Sequence, residues 1–562
     1  MTGKMPKLVL KASLCIILVT AAVLLPSLAV REGESDTNLG PSQTATESLE
    51  PKDAAPYGET LIKGSIADAS VLIPALAVDV PSLDVAKMIY NGLVKYDKNI
   101  NLVGDLAERW EVFDDGLRIR FHLRKGVTWH DGRPFTSRDV EYTFQLCIDS
   151  RTPTAYASDF LRVRRLTVLD DYTVEVVYDK PFAPALESWT LGMLPRHLLE
   201  GTDVTQSPLQ QRPIGTGPYR FTEWKTGDRI VLEAYPGYFE GRPRLGRVVT
   251  RVVPDAATMF LHLRAGLLDW IELSPIQFLR QTDTEWFRDQ FRKYPHLGFT
   301  YNYLGYNLED PKFKDKRVRQ AITLALDREG IVQGVLLGLG CVAHCPYKPD
   351  TFWHNPRVRK FPYDPEQAKR LLADAGWKDT DDDGILERDG IPFEFTLITN
   401  QGNILRKNAA AIIQRDLRKV GIKVNIRTIE WACFLKHFVH RRNFEAYLMG
   451  WRLGADPNQI DIWHSTKTAE HQLNHVSYKN PQVDNILELG SATFDLHERK
   501  KYYDRFQEII AEDQPYTFLW VAQTLPIVHA RFRGVEPGPM GIDHNLDKWY
   551  VPVHQQKYRN EP

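Results

Sequence analysis

GTGPYRFTEWKTGDRIVLEAYPGYF, residues Gly215 to Phe239, decides how the rest of the chain is read. Gly215, Gly217 and Pro218 set a rigid turn with backbone angles that bulkier residues resist. Period-2 patterning follows through Tyr219 and Phe221, then through Ile230 and Leu232, and predicts strands. Two readings fit this pattern. One is a hinge strand, where a lobe ends and the chain returns to another; the other is an ordinary hairpin within one sheet.

At 562 residues the chain is too long for one core, since single cores stop growing near roughly 250 to 300 residues, so two or more lobes are expected. The 71 basic and 72 acidic residues leave a net charge of -1, which provides no global field toward nucleic acid or an anionic membrane. The 13 Trp exceed what an average core requires and suit a protein that buries a ligand against flat side chains. Any single Trp reads equally well as core.

The opening stretch continues with G-x-P at Gly241 to Pro243 and VPD at Val253 to Asp255. GTGPY, EW, GD, Tyr238 and these two motifs form an ordered string that resembles the family 5 solute-binding proteins of ABC importers, the dipeptide, oligopeptide and nickel-binding group. Matching segments run from about Gly58 to the C-terminus, including YNYLGYNLEDPKFKDKRVRQAITLALDREGIVQGVLLGLG at Tyr301 to Gly340. The resemblance implies an α/β, two-lobed periplasmic-binding-protein fold with an extra domain and a ligand cleft between the lobes. It places domain I at 57–87, 213–297 and 529–562, domain II at 88–212 and domain III at 298–528. The implied function is capture of a small solute, a peptide foremost, by hinge closure and delivery to an ABC permease in the membrane. It implies no catalysis, and a monomer is expected.

The N-terminus carries Lys4, Lys7 and Lys11, then nineteen uncharged residues from Ala12 to Val30. This reads as a signal peptide over 1–29 with a cut after Ala29, and so as a periplasmic or extracytoplasmic protein. An uncleaved membrane tether is the alternative. Residues 30–56 have no aromatic residue and read as a flexible tether.

Local signals predict several elements. Thr136 with Asp139 reads as a capped helix start, Asp315 caps another helix, and Asp364, Pro365 and Gly376 read as cap, first turn and stop. A strand is expected over Thr60 to Gly64, a helix over Val85 to Leu93, a helix over Phe260 to Leu268 and a strand over Trp270 to Leu273.

Candidate chemistry is sparse. Trp129, His130 and Asp131 suggest an acid–base site, but Gly132 and Pro134 mark a loop and the same string recurs in the resembling family. Asp379, Asp381 and Asp383 occupy positions one, three and five of a calcium-type loop that then departs from the pattern, with Gly390 at position twelve. No cofactor is called for; calcium at this loop stays open. Cys341 and Cys345 predict a short-loop disulfide in an oxidising compartment, with a soft-metal site including His344 as the rival. His464, His471 and His475 are the best metal cluster, since the last two are four apart and suit one helix face, yet they lack the Glu of an HExxH site. They are the sole support for a secreted metal-dependent enzyme. A membrane-tethered sensor or chaperone on the same fold is the third reading.

The resemblance implies that EAYLMGWRLGADPNQIDIWHS, Glu445 to Ser465, faces the cleft. Relatives place a carboxylate for a peptide's amino terminus near the position that Gly454 holds here, with Arg452 close by. Candidate ligand-binding residues are therefore Asn307, Trp431, Trp451, Arg452, Asp456 and Trp463. They predict a site that is independent of a free N-terminus and prefers an anion near Arg452.

Overall fold

Three large sheets divide the chain, and its path among them is discontinuous. The computed structural model describes residues 57–470 and 472–558. The predicted signal peptide and tether therefore lie outside the described residues.

The first sheet has seven strands and takes them from three regions of the sequence: Thr60–Ser65 at its centre, Tyr219–Lys225, Arg229–Ala234, Arg247–Val252, Trp270–Glu272 and Phe291–Lys293 from the middle, and Pro526–His529 near the end. Thr60–Ser65 runs parallel to Arg247–Val252 with Leu61 opposite Val248. We call this body lobe I. Arg531, brought back by the last strand, makes a two-pronged ion pair with Asp269, and both side chains are almost fully buried. Such a pair pins the late return of the chain to the early strands.

Lobe II holds a four-stranded antiparallel sheet, in which Arg118–Leu123 lies between Ala107–Phe113 and Thr173–Tyr178 and Val163–Asp170 forms an edge. Its helix Ser137–Ile148 begins with the expected capping box, where the Asp139 carboxylate accepts from the Thr136 amide at 2.9 Å. Lobe III is built on a mixed six-stranded sheet with His296–Tyr306 between Tyr516–Thr524 and Ala446–Arg452. Helix Lys316–Ala325 is capped by Asp315, and helix Pro365–Asp374 by Asp364, with Gly376 at φ +88 beyond its end.

Two helices start earlier than their apolar periodicity suggests. Asp79 caps Val80–Ile89 by accepting from the Ser82 amide, and Asp255 caps Ala256–Arg264 by accepting from the Thr258 amide. The cap side chain, rather than the first apolar residue, sets where each begins.

The stretch from Gly215 to Phe239 contains both structures its sequence allows. Tyr219–Lys225 and Arg229–Ala234 form a bulged antiparallel hairpin. Gly215–Pro218, just before it, runs against the end of helix Val80–Ile89, where the chain leaves lobe I for lobe II. The Gly217 amide donates to the Ile89 carbonyl at 2.7 Å, and the Thr216 hydroxyl donates to Asn91 Oδ1 at 3.1 Å. The two crossings therefore lie side by side. The glycines are needed here for space and not for their backbone angles: neither has a positive φ, but a Cβ on Gly215 would sit 1.9 Å from the Ile89 carbonyl oxygen, and one on Gly217 2.5 Å from the Ile89 carbonyl carbon.

Candidate ligand-binding site

His130 braces the returning crossing. Its Nε2–H donates to the Gly217 carbonyl at 3.0 Å, its Nδ1 accepts from the Gly215 amide at 3.3 Å, and its own amide donates to the Gly215 carbonyl at 2.9 Å. That arrangement requires a neutral ring. Burial pushes the His130 pKa down to about 4. Trp129 is fully buried, and Asp131 turns away to His197 at 2.7 Å, so the three residues do not form an acid–base group. Because the folded pKa is depressed below the unfolded value of about 6.5, this contribution to stability is present above pH 6.5 and is lost as pH falls toward 4. Urea unfolding at pH 4.5 and 7.5 should show a pH-dependent difference of up to about 3 kcal/mol that His130→Asn removes. An equal pH slope in both proteins would refute the brace.

Beyond the crossings lies a cavity of about 730 Å³ whose wall is drawn from all three lobes. Lobe I supplies Lys63, Asp84 and Trp270, lobe II supplies Tyr156 and Glu187, and lobe III supplies Gly454, Asp456 and Asn458. The volume falls in the range of small-molecule sites. Lobes II and III also touch directly. The Ala183 amide donates to the Ser491 carbonyl at 2.7 Å, and Gly116 leaves room for the Phe494 ring, which a Cβ there would meet at 2.0 Å. The lobes are closed around the cavity.

The wall is acidic. Nine carboxylate side chains and three lysines line it, and the lysines are already engaged. Lys63 and Lys87 both pair with Asp84 at 3.0 Å, Lys87 also with Asp543, and Lys95 with Glu240 at 2.6 Å. Asp105, held by the Asn91 side-chain amide, is raised to about 6 by burial, with Lys95 opposing the shift. Asp456 forms a two-pronged pair with Arg499 at 2.7 and 2.9 Å, both side chains being almost fully buried. Two tyrosine hydroxyls on the wall, those of Tyr90 and Tyr219, are buried and meet no hydrogen-bond partner among the described residues, while the Tyr96 hydroxyl lies beside the Glu187 carboxyl.

Of the six candidate residues, Asp456 lines the cavity and five do not. Trp451 and Trp463 are core: Trp451 donates to the Tyr516 hydroxyl and stacks on His475, and Trp463 packs 4.5 Å from the Tyr516 ring. Trp431 is half-buried against Phe434. Asn307 is a turn residue that accepts from the Glu309 amide and donates to the Phe444 carbonyl. Arg452 is exposed at the end of strand Ala446–Arg452 opposite Thr300, so the expected anion preference loses its basis. Sequence reasoning missed Glu187, the three tyrosines and Asn458.

Cys341 and Cys345 are free thiols. Strand Gly340–Val342 pairs with Tyr516–Thr524, and the Ala343 amide extends that ladder to the Leu519 carbonyl. The ladder holds residues 340–343 extended, whereas a short-loop disulfide needs the chain to turn back and bring its Cα atoms within about 7 Å. Cys345 is buried with its Sγ 3.2 Å from Gln507 Oε1, and burial pushes its pKa up to about 12. Alkylation of the unreduced, denatured protein should label both cysteines; an unlabelled pair would contradict the structure. His464 bonds to Glu488 and Thr466, and His475 is buried with both ring nitrogens unpartnered. Residues 472–478 form bends and turns, not the expected helix face, and His471 lies outside the described residues.

Asp379, Asp381 and Asp383 gather with Glu387, at the ninth position, so that one oxygen of each lies within 4.8 Å of the others. Much of their bonding capacity is used by the loop itself, since Gly384, Ile385 and Thr380 amides donate to Asp379, Asp383 and Glu387. A short hairpin follows, Glu387–Arg388 with Ile391–Pro392, in place of a helix.

The family model for bacterial extracellular solute-binding proteins, family 5 (middle), matches residues 101–471. The chain belongs to this family. Oligopeptide-binding protein AppA of Bacillus subtilis is 36% identical over 508 residues, covering 88% of this chain and 92% of AppA. The AppA structure in complex with a nonapeptide superposes with a TM-score of 0.72 at 34% identity, covering 89% of this chain and 100% of that one. Heme-binding protein A of Haemophilus influenzae is 29% identical over 507 residues, covering 84% of this chain and 88% of that protein. The structure of NikZ from Campylobacter jejuni with Ni(L-His) gives a TM-score of 0.73 at 27% identity, covering 87% and 99%. For a family 5 protein, two side-by-side crossings and a cavity walled by every lobe are the parts that solute capture requires. No helix among the described residues is long and apolar enough to cross a membrane.

Proposed function

We propose that the protein captures a short peptide outside the cytoplasm by closing its lobes around it and delivers it to an ABC permease, without catalysing a reaction. The observation that carries this reading is the cavity of about 730 Å³ at the junction of the three lobes, with lobe II joined to lobe I by two adjacent chain crossings. A ligand touching all three lobes interacts more strongly with the closed form than with an open one, and only such a difference shifts the equilibrium. AppA and its nonapeptide supply the chemical class, and the unpartnered tyrosine hydroxyls supply groups able to donate to or accept from a peptide backbone. Small-angle X-ray scattering with and without a pool of random pentapeptides tests it. The radius of gyration should fall on addition; an unchanged scattering curve at saturating peptide would refute closure on peptides.

A further inference from the structure

Between the last strand of lobe I and the C-terminus, the chain leaves the sheet in a loop that reaches both other lobes. Its neck is closed where Arg533 and Tyr550 exchange backbone hydrogen bonds at 2.8 and 3.1 Å, so residues 534–549 form a compact loop whose two ends meet in lobe I. Within it the His544 Nε2–H donates to the Glu536 carbonyl at 2.8 Å, and the Asn545 side-chain amide donates to the Gly534 carbonyl at 2.9 Å. The tip is the turn Gly538-Pro539-Met540-Gly541, in which the two glycines bond to each other through their backbones. Met540, Asp543 and His544 line the cavity.

The tip is held from two sides. In lobe II the Lys98 carbonyl accepts from the Met540 amide at 3.1 Å. A Cβ on Gly538 would lie 2.8 Å from that same carbonyl oxygen, so this approach needs a residue without a side chain. From lobe III, Lys348 Nζ donates to the Pro539 carbonyl at 3.0 Å, while Asp350 of its own lobe accepts from it at 2.6 Å. The Lys348 side chain is 2% exposed, and burial draws its pKa below the ordinary lysine value against the pull of Asp350. An ammonium is costly to bury, and this one is spent on a backbone oxygen of another lobe.

The root of the loop does not depend on how the lobes stand, but the tip does. It belongs to no sheet, and a segment with so few bonds of its own opens at low cost unless its neighbours hold it. We propose that residues 534–549 act as a strap over the cavity, fastened by the Lys98 carbonyl and the Lys348 ammonium, and that withdrawal of Lys348 with lobe III frees the tip and lets the ligand leave. The proposal rests on solute capture by lobe closure and adds the element that secures the closed form.

Hydrogen exchange read by mass spectrometry, on the full chain saturated with a pool of random pentapeptides, tests the strap. Lys348→Met removes the ammonium and keeps most of the stem, and Gly538→Ala pushes the tip off Lys98. Each is expected to speed exchange over residues 534–549 and dissociation of the pool by about tenfold, as loss of one buried hydrogen bond implies, with exchange in strand Thr60–Ser65 unchanged. Unaltered exchange over 534–549 in either variant, or faster exchange with unaltered dissociation, would overturn the strap while leaving peptide capture standing. If the pool does not bind, peptide capture falls, and exchange in the ligand-free protein decides the strap. Faster exchange over 534–549 in both variants then supports it, and wild-type exchange in either overturns it.

Discussion

Gly215→Val is expected to destabilise the protein by roughly 3 kcal/mol or more and to abolish ligand binding. The added Cβ would stand 1.9 Å from the carbonyl oxygen of Ile89, a backbone atom held by the hydrogen bond from Gly217. Overpacking against a flexible side chain typically costs about 1 to 3 kcal/mol, and here the obstacle cannot rotate away. The two crossings would have to separate, and with them the bonds from His130 and from Thr216 to Asn91. Gly215→Ala should be nearly as damaging, because the Cβ itself collides. Urea unfolding followed by tryptophan fluorescence measures this. Wild-type midpoints for both variants would show that the crossings are not packed as described.

The second large effect is expected at the cavity wall. Arg499→Ala leaves Asp456 almost fully buried without its guanidinium and also removes the bond from Arg499 Nε to the Gly490 carbonyl. Breaking one side of a buried pair typically costs about 3 to 5 kcal/mol. Replacing both partners by apolar residues, as in Arg499→Met with Asp456→Leu, should recover most of that loss, because no charge is then stranded. If the single and double variants unfold at the same midpoint, the pair does not carry the stability assigned to it.

The hinge was legible because its glycines lie in a dense run of turn and strand signals, although the reason for them was not. A sequence shows that Gly215 has no side chain; it does not show that Ile89 passes against it. Caps were legible for the same local reason, as at Thr136 with Asp139 and at Asp364 with Pro365, where donor and acceptor are three residues apart. The ligand site was mostly illegible. Ala446–Arg452 is buried along both faces until its last residue, so period-2 alternation could not show whether Trp451 points to the cavity or the core. Asp456 was found because it sits in a turn that the family pattern marks. Glu187 carried no signal, because its neighbours Gly454 and Asp456 come from a different lobe and a distant part of the chain. The cysteines misled because spacing alone was read as a loop, where the ladder to Tyr516–Thr524 holds the chain extended.

Native mass spectrometry of the protein, before and after exchange into a pool of random pentapeptides, tests capture of a peptide in the closed cavity most directly. A shift by the mass of a single peptide per chain, lost in Gly215→Val, is the result predicted. A chain that retains its bare mass at saturating peptide, or that takes up several peptides with the Gly215→Val variant doing the same, would contradict it.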